Sequence, residues 1–453
     1  MTITISPEQV IDLQIGWPNP ALLPAPNLRH SATAVLSNPS IANSALLYGP
    51  DEGYGPLRIN IAAWLSDFYQ PREPVSSQRI CITGGASQNL ACVLQTFTDP
   101  VYTRNVWMVA PTYHLAARVM DDAGFAGRLR GIPEDNEGVD IAVLESGLRA
   151  AEDVALRAGN TEPKLKPPRP WRKIYKHVIY AVPTFANPSG KIMSLRRREA
   201  LVRLARQYDA LIITDDVYDF LQWSPKPEGE KNFGDRACLP RIVDVDRYLD
   251  GGPQDEWGHA LSNGSFSKLI GPGARTGWAE ASEKVAYGLS QTGSSRSGGA
   301  PSHLCAAIID QLFPTGTIHN HIRDVLQPKY AERYHTLLSA IQEHLVPLGV
   351  TVPAPAAAAG GYFLWIGLPA PLLAADVVKR AQSEENLRLC AGDLFQVPDH
   401  HLTEGFADHL RLCFAWEEPR HLTEGMRRLA RVLHRLIRTE MLGIDGVGLH
   451  ATS

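Results

Sequence analysis

The feature that most constrains the fold is a regular alternation of short apolar stretches with longer amphipathic ones between residues 79 and 281. The short stretches have strand length, and each is followed directly by Gly, Pro or Asp. The longer ones carry Leu, Ala and Val at helical spacings of three and four among charged residues. This alternation is typical of βαβ units around a mostly parallel sheet, so the sequence predicts an α/β fold. Strands are predicted at 79–83, 105–110, 177–182 and 210–214, and helices at 194–208 and 327–345.

The size and charge of the chain bound its class. Its 453 residues predict two structural domains, or one large domain with a smaller appendage. The formal net charge of -4 gives no basic field that would attract nucleic acid, and no uninterrupted apolar run reaches membrane-spanning length. A small-molecule substrate is therefore expected.

The cysteines and the N-terminus predict a cytoplasmic location. The six cysteines show neither a C-x-x-C pair nor a spacing typical of a disulfide framework or a metal site, so buried thiols are expected. The first ten residues have neither a basic region followed by an apolar stretch nor an Arg- and Ser-rich amphipathic character. The cysteines are Cys81, Cys92, Cys238, Cys305, Cys390 and Cys413.

The segment SFSKLIGPGARTGW, residues 265–278, combines hydroxyls, one lysine, a glycine-rich turn and an arginine. A phosphate monoester is bound by hydroxyls, backbone N–H groups and a guanidinium that can grip two oxygens, and Ser265 and Arg275 offer two of these. A desolvated Lys268 near a cation would have a depressed pKa and could form a Schiff base with an aldehyde. The S-x-x-K pattern also occurs in penicillin-recognising serine enzymes, but their companion motifs S-D-N and K-T-G are absent.

Two further groups follow predicted strands. Asp215 and Asp216 stand at the carboxyl end of a strand, where ligands of open α/β sheets bind. Neighbouring strand residues point to opposite faces, so one of the two carboxylates is expected to face a ligand; an N-cap or a metal ligand is the alternative. Asn187 lies in the loop VPTFANPSG, where its amide could serve a site or simply a turn. The segment TGGAS, residues 83–87, has small residues between a strand and a helix, which suits phosphate binding at a helix N-terminus.

In this order along the chain, the four groups resemble the class I/II aminotransferases of pyridoxal 5′-phosphate (PLP) fold type I. The resemblance covers nearly the whole chain and is greatest to the fungal branch related to aminoadipate and aromatic aminotransferases. The segments LQIGWPNP (13–20), LYGPDEGYGPLR (47–58) and LRLCFA (410–415) also match the family. The resemblance implies a large domain with a central mostly parallel sheet and a smaller α+β domain. It divides the chain into an N-terminal segment (1–45), a PLP-binding domain (46–326) and a small C-terminal domain (327–453).

Carried over residue by residue, the resemblance assigns three catalytic roles. Lys268 would hold the cofactor as a Schiff base and carry the proton between the substrate α-carbon and the cofactor. Asp215 would keep the pyridine nitrogen protonated, which strengthens the ring as an electron sink. Tyr113 would stack on that ring, while Tyr218 and Asn187 would bond the phenolic oxygen.

The resemblance also assigns the phosphate and substrate contacts. Arg411 would bind the substrate α-carboxylate with the Gly16 backbone as a second contact, beside Asn187, and Trp17 would stand near the substrate entrance. Tyr48 would reach the phosphate from a neighbouring subunit, which implies a homodimer with shared active sites. The remaining phosphate contacts would be Gly85, Ala86, Ser87, Ser265, Ser267 and Arg275.

The predicted function is a ping-pong aminotransferase that moves an amino group from an amino acid to a 2-oxo acid through Lys268. The alternative is a PLP enzyme of the same fold that performs elimination, substitution, cyclisation or decarboxylation, including reactions of secondary metabolism. A regulatory protein is a third interpretation, but nothing before the fold suggests a helix-turn-helix and the net charge is negative. No arginine matches securely the one that dicarboxylate-specific members use for a side-chain carboxylate, and Arg296 is only the nearest candidate, so aspartate specificity is not supported.

Overall fold

The computed structural model describes residues 6, 8–227, 233–353, 357–398 and 405–445. The strands are β1 (Ile11–Asp12), β2 (Ile80–Thr83), β3 (Val106–Ala110), β4 (Leu129–Asp135), β5 (Gly138–Val139), β6 (His177–Ala181), β7 (Ala210–Asp215), β8 (Gln222–Trp223), β9 (Ala260–Ser265), β10 (Gly277–Glu280), β11 (Ala359–Gly360), β12 (Phe363–Gly367), β13 (Leu387–Arg388), β14 (Cys390–Ala391) and β15 (His409–Cys413). The helices are α1 (Ala25–Ser37), α2 (Pro39–Ala45), α3 (Gly55–Tyr69), α4 (Ala86–Phe97), α5 (His114–Met120), α6 (Ile141–Arg157), α7 (Leu195–Gln207), α8 (Ile242–Tyr248), α9 (Glu283–Ser290), α10 (His303–Asp310), α11 (Thr317–His321), α12 (Gln327–His344), α13 (Ala374–Glu385) and α14 (Pro419–Asp445).

An eight-stranded sheet with the order β2-β10-β9-β7-β6-β3-β4-β5 forms the centre of the fold. The five strands from β9 to β4 are parallel, whereas β10 runs antiparallel to both its neighbours and β5 runs antiparallel to β4. The predicted α/β fold with a mostly parallel sheet is confirmed. The four predicted strands agree with β2, β3, β6 and β7 to within one residue at each end.

The central strands are buried on both faces, which explains their continuous apolar sequences. Along β3, Val106 and Met108 belong to one apolar cluster, and Trp107 and Val109 belong to another on the opposite face. Residues of α4, α5 and α9 pack in the first cluster, and residues of α6, α7 and α8 pack in the second. The sheet therefore lies between two layers of helices, and its strand ends are where polar side chains can gather.

Helix ends follow the predicted signals. Ser194 is the N-cap of α7, and its side chain accepts a hydrogen bond from the backbone N–H of Arg197. The predicted helix at 327–345 is observed as α12. At α4 the N-cap is Gly85 with φ of 94°, a left-handed region that favours glycine.

A three-stranded antiparallel sheet with the order β12-β15-β14 lies outside the central sheet. Helices α13 and α14 pack together beside it, and α12 packs on α14. The N-terminal strand β1 pairs in parallel with β13, so Asp12 lies opposite Arg388. The domain boundaries given above stay a prediction, and residues 1–5, 7, 228–232, 354–356, 399–404 and 446–453 within them lie outside the described residues.

The cysteines are all free thiols. Cys81, Cys92, Cys390 and Cys413 are buried as expected, but Cys238 is exposed and Cys305 is half-buried. The expectation fails there because Cys238 lies in the loop before α8 and Cys305, on α10, packs only partly against the apolar core. Within the described ranges, no helix is long and apolar enough to cross a membrane.

Candidate active site

A cavity of about 570 Å³ opens at the carboxyl ends of β7 and β9, between the central sheet and the three-stranded sheet. Its position agrees with the rule that open α/β sheets bind ligands at these strand ends. The structure brings most of the predicted site residues to its wall. These are Gly16, Trp17, Ala86, Ser87, Tyr113, Asn187, Asp215, Tyr218, Ser265, Ser267, Lys268, Arg275 and Arg411.

Lys268 follows β9 at the floor of this cavity. Its amine donates a hydrogen bond to the carbonyl oxygen of Gly16 at 2.9 Å and lies 5.7 Å from the ring centre of Tyr218. Burial is the main cause that lowers the pKa of Lys268 to about 8; the guanidinium of Arg411 lowers it further, and Asp215 opposes the shift. A larger fraction of this amine than of an ordinary lysine is therefore neutral, and nucleophilic, near neutral pH.

Asp215 ends β7 and faces the same cavity. Its Oδ2 accepts a hydrogen bond from the Tyr180 hydroxyl at 3.0 Å, while its buried Oδ1 has no partner among the described residues. Burial raises the pKa of Asp215 to about 7. An unpaired buried carboxylate oxygen is costly, so it marks a place for a donor from outside the chain.

The adjacent carboxylate points the other way. Asp216 accepts hydrogen bonds from the hydroxyls of Thr214 and Ser262, away from the cavity wall. This is the opposition expected of two consecutive strand residues. Of these two adjacent carboxylates, only that of Asp215 lines the cavity and is available to a ligand there.

Arg411 projects from β15 and is 5% exposed. Its Nη1 donates to Asn187 Oδ1 at 3.1 Å and its Nη2 donates to the Gln14 carbonyl oxygen at 2.7 Å. The guanidinium lies 4.1 Å from the ring centre of Phe363 and 4.8 Å from that of Phe395. Its Nε has no partner within the described ranges, so the positioned cation has a donor free for a carboxylate.

The opposite end of the cavity suits an anion. Helix α4 begins at Ala86, and its first backbone N–H groups carry the positive end of the helix dipole. The Arg275 guanidinium donates to the carbonyl oxygens of Gly84 and Pro272, both at 2.9 Å. A Cβ at Gly85 would lie 2.7 Å from Arg275 Nη2, so the glycine permits this close approach.

Two hydroxyls complete that end. The Ser267 backbone N–H donates to Ser265 Oγ at 3.1 Å, and the two hydroxyl oxygens are 2.9 Å apart. Both serines line the cavity with Ser87. The set of hydroxyls, helix N–H groups and one guanidinium is the donor chemistry that a phosphate monoester requires.

Three predicted residues do not line the cavity. Gly85 lies directly behind its wall at the start of α4. Tyr48 is 90% exposed, and Arg296 is exposed and ion-paired with Asp51. Trp17 does line the cavity and is 61% exposed, with its ring edge-on to Trp416 at 6.3 Å.

Sequence reasoning missed several residues of the wall. Tyr180 supports Asp215 from the neighbouring strand, but only the β6–β7 register, which sets Tyr180 opposite Ile213, brings them together. Asn263 donates to the Ala86 carbonyl oxygen at 3.0 Å and so links β9 to α4. The other missed wall residues include Asp12, His114, Phe363 and Arg388.

Together, the fold and this site define an α/β enzyme whose cavity-lining lysine lies between a carboxylate and an anion-binding helix end. Residues 9–429 match the model of the aminotransferase class I and II family. The chain therefore belongs to that family, as predicted, and it is an aminotransferase of PLP fold type I.

Two relatives illustrate the similarity in sequence. The chain is 34% identical over 403 residues to an uncharacterized protein of Saccharomyces cerevisiae, covering 84% of this chain and 87% of the relative. It is 27% identical over 434 residues to an aromatic-amino-acid aminotransferase of Thermococcus litoralis, covering 95% and 89%. The similarity thus extends over most of both chains.

Solved structures give the same result. A multiple substrate aminotransferase from Thermococcus profundus superposes with a TM-score of 0.75 at 26% identity, covering 95% of this chain and 93% of the other. An α-aminoadipate aminotransferase from Thermus thermophilus, solved with a phosphopyridoxyl-leucine compound, gives a TM-score of 0.72 at 26% identity, covering 96% of each chain. The shared fold and the family together identify transamination as the reaction.

Proposed function

We propose that the cavity binds PLP, with Lys268 joined to its aldehyde, and that the chain transfers amino groups between amino acids and 2-oxo acids. One observation carries the proposal: the buried, unpaired Oδ1 of Asp215 shares a cavity with an amine whose pKa is lowered to about 8. PLP offers a ring N–H for the carboxylate oxygen of Asp215 and an aldehyde for the amine of Lys268. The phosphopyridoxyl compound in the Thermus thermophilus structure supports the same choice.

The other groups of the cofactor also fit the residues present. The phosphate would be held at the α4 N-terminus by Ala86 and Ser87, by the hydroxyls of Ser265 and Ser267, and by Arg275, with Gly85 leaving room behind them. Tyr113 would stack on the ring. Tyr218, whose burial keeps its pKa well above the usual value, would donate its phenolic proton together with the Asn187 amide.

When bound, PLP supplies an electron-poor ring that makes the substrate α-proton acidic. Lys268 would serve as the base, because its side-chain nitrogen can accept the substrate α-proton and give it back. Asp215 stays close to the ring nitrogen because Tyr180 holds its other oxygen. The Gly16 carbonyl oxygen accepts a hydrogen bond from the amine and so orients it in the cavity.

Arg411 would bind the α-carboxylate that amino acids and 2-oxo acids share. Its guanidinium is held in place by Asn187, the Gln14 carbonyl and two aromatic rings, so little side-chain entropy is lost when a substrate binds. Because one cavity serves both substrates, the first 2-oxo acid must leave before the second enters. This order gives ping-pong kinetics.

A homodimer is part of the proposal. Leu46, Leu47 and Tyr48 are consecutive and 63%, 69% and 90% exposed, which is unusual for large apolar side chains in one segment. A second copy of the chain would bury them and bring Tyr48 to the phosphate of its neighbour. Sedimentation velocity should give twice the mass of one chain, and Tyr48→Phe should weaken PLP binding in that dimer. A monomer that binds PLP fully would contradict this part.

We also propose a cytoplasmic location. All six cysteines are free thiols, and Cys238 is exposed. Exposed free thiols persist in reducing compartments. Fluorescence of a tagged full-length chain confined to an organelle would contradict the proposal.

The covalent assignment has a direct test. Purified protein incubated with PLP and then reduced with borohydride should carry the pyridoxyl group on the peptide that contains Lys268. Lys268→Ala should fold, because the amine lies at a cavity, and should carry no label. A label on another lysine, or full turnover by Lys268→Ala, would contradict the proposal.

A further inference from the structure

We infer that Arg388 is the specificity residue for substrates that carry a second carboxylate, and that Asp12 occupies its guanidinium when such a substrate is absent. The inference rests on the proposed function, since it concerns the other end of the same substrate. It assigns the cavity to two kinds of substrate, one with a neutral and one with an acidic side chain. Both would be held at the α-carboxylate by Arg411.

Arg388 lines the cavity together with Arg411 and Lys268. It lies on β13, which pairs with the N-terminal strand β1. Its side chain is 49% exposed, whereas that of Asp12 is 10% exposed. One nitrogen of its guanidinium lies 3.4 Å from one carboxylate oxygen of Asp12. This is longer than a good charged hydrogen bond, so the pair can be exchanged for a substrate carboxylate at small cost.

The strand geometry places the two arginines at a suitable separation. Cys390 on β14 lies directly opposite Arg411 on β15, and Arg388 precedes Cys390 by two residues. Two residues of extended chain span about 7 Å, and side chains two positions apart point to the same face of a strand. Arg388 therefore lies on the same cavity wall as Arg411, displaced along the strand by about the length of a short carbon chain, so one dicarboxylate can span the two arginines.

The position of the Asp12 carboxylate does not depend on Arg388. Its Oδ1 accepts hydrogen bonds from the backbone N–H groups of Gln14 and Ile15, at 2.9 and 3.0 Å. Only Oδ2 faces the arginine. When a substrate carboxylate takes the arginine, the turn that carries Gly16 keeps its shape, so the exchange does not disturb the Lys268 contact.

The other arginine considered for this role is in a different place. Arg296 does not line the cavity and is ion-paired with Asp51. In a dimer it would act only by reaching the cavity of the second copy. Substitutions of Arg388 and of Arg296 can therefore be distinguished by their effects on binding.

The test measures binding of two unreactive probes to the PLP-loaded enzyme by isothermal titration calorimetry. Glutarate has two carboxylates, and pentanoate has one and the same carbon count. Wild-type enzyme should bind glutarate more tightly, and Arg388→Ala should weaken glutarate binding about tenfold, the size of one partly screened charged contact, and so remove the preference. Asp12→Asn keeps the Oδ1 acceptor but removes the competing charge, so it should tighten glutarate binding.

Arg380→Ala is the matched control, because Arg380 pairs with Glu384 on α13 and does not line the cavity. It should leave both affinities unchanged. The inference is overturned if Arg388→Ala keeps the glutarate preference, or if Arg296→Ala alone abolishes it. Enzyme that binds glutarate through Arg388 yet never converts PLP to pyridoxamine phosphate would contradict the proposed function and leave this inference standing.

Discussion

The side-chain nitrogen of Lys268 donates a hydrogen bond to the backbone carbonyl oxygen of Gly16 at 2.9 Å, across 252 residues of sequence. The contact brings the N-terminal segment over the amine at the end of β9. It also helps to keep water from the amine, and that burial is the largest cause of its lowered pKa. The reactivity of Lys268 thus depends on a segment that is distant in the sequence.

The lowered pKa predicts the pH dependence of cofactor capture. Only the neutral amine attacks an aldehyde, so the rate at which cofactor-free enzyme binds PLP should rise with pH and level off above about 8. An ordinary lysine would level off near 10.4. Growth of the visible absorbance after mixing measures the rate. A midpoint at pH 10 or above would contradict the burial argument, and Lys268→Ala should show no such absorbance.

The two adjacent aspartates should behave differently. Asp215→Asn should keep PLP bound but lower kcat by about 100-fold or more, because a neutral amide cannot hold the proton on the ring nitrogen. Asp216→Asn is the matched control: it should lower thermal stability, since Asp216 accepts bonds from Thr214 and Ser262, and retain most of the turnover. Steady-state kinetics and thermal unfolding distinguish them. If Asp215→Asn turns over normally and Asp216→Asn does not, the roles are reversed.

Local sequence patterns were sufficient for much of this fold. Buried parallel strands need apolar residues on both faces, so β3, β6 and β7 appear as uninterrupted apolar runs with sharp ends. Ser194 could be predicted as an N-cap because serine is a preferred residue directly before a helix. In the structure its side chain bonds the first turn of α7. Asp215 is the last residue of β7 and Lys268 stands three residues after the end of β9, so both lie at strand ends where motifs could point to them.

What the sequence could not predict are contacts between distant segments. Tyr180 supports Asp215 only through the register of β6 and β7. Arg388 lies near the site because β13 pairs with β1, which joins residues 376 positions apart. Neither residue stands in a recognisable local pattern, so pairing between strands had to be known first.

Arg411→Ala should raise KM for amino acids and 2-oxo acids alike, because both carry the carboxylate that the guanidinium binds. Charged hydrogen bonds are worth roughly 1.5–3 kcal/mol each, so kcat/KM should fall by about 100-fold. The spectrum of the bound cofactor should change little. Arg411→Lys restores the charge without the planar fork and should rescue only part of the loss. Loss of cofactor with normal KM would make Arg411 a phosphate or structural residue.

Gly85→Ala should weaken PLP binding by about tenfold or more. The φ of 94° is strained for alanine, and the new Cβ would press on the Arg275 guanidinium at the phosphate end of the cavity. Gly55→Ala is the control, because nothing lies within 4 Å of a Cβ at the first position of α3. Equilibrium dialysis measures both affinities. Equal affinities for the two variants would place the phosphate elsewhere.

The central claim is transamination, and one single-turnover measurement tests it most directly. PLP-loaded enzyme is mixed with an amino acid and no 2-oxo acid, and the cofactor is then extracted and separated by chromatography. We expect pyridoxamine phosphate in an amount equal to the active sites, with an equal amount of the 2-oxo acid, and a return to PLP when a second 2-oxo acid is added. Product that keeps forming from the amino acid alone while the cofactor remains PLP would contradict transamination and indicate elimination or decarboxylation instead.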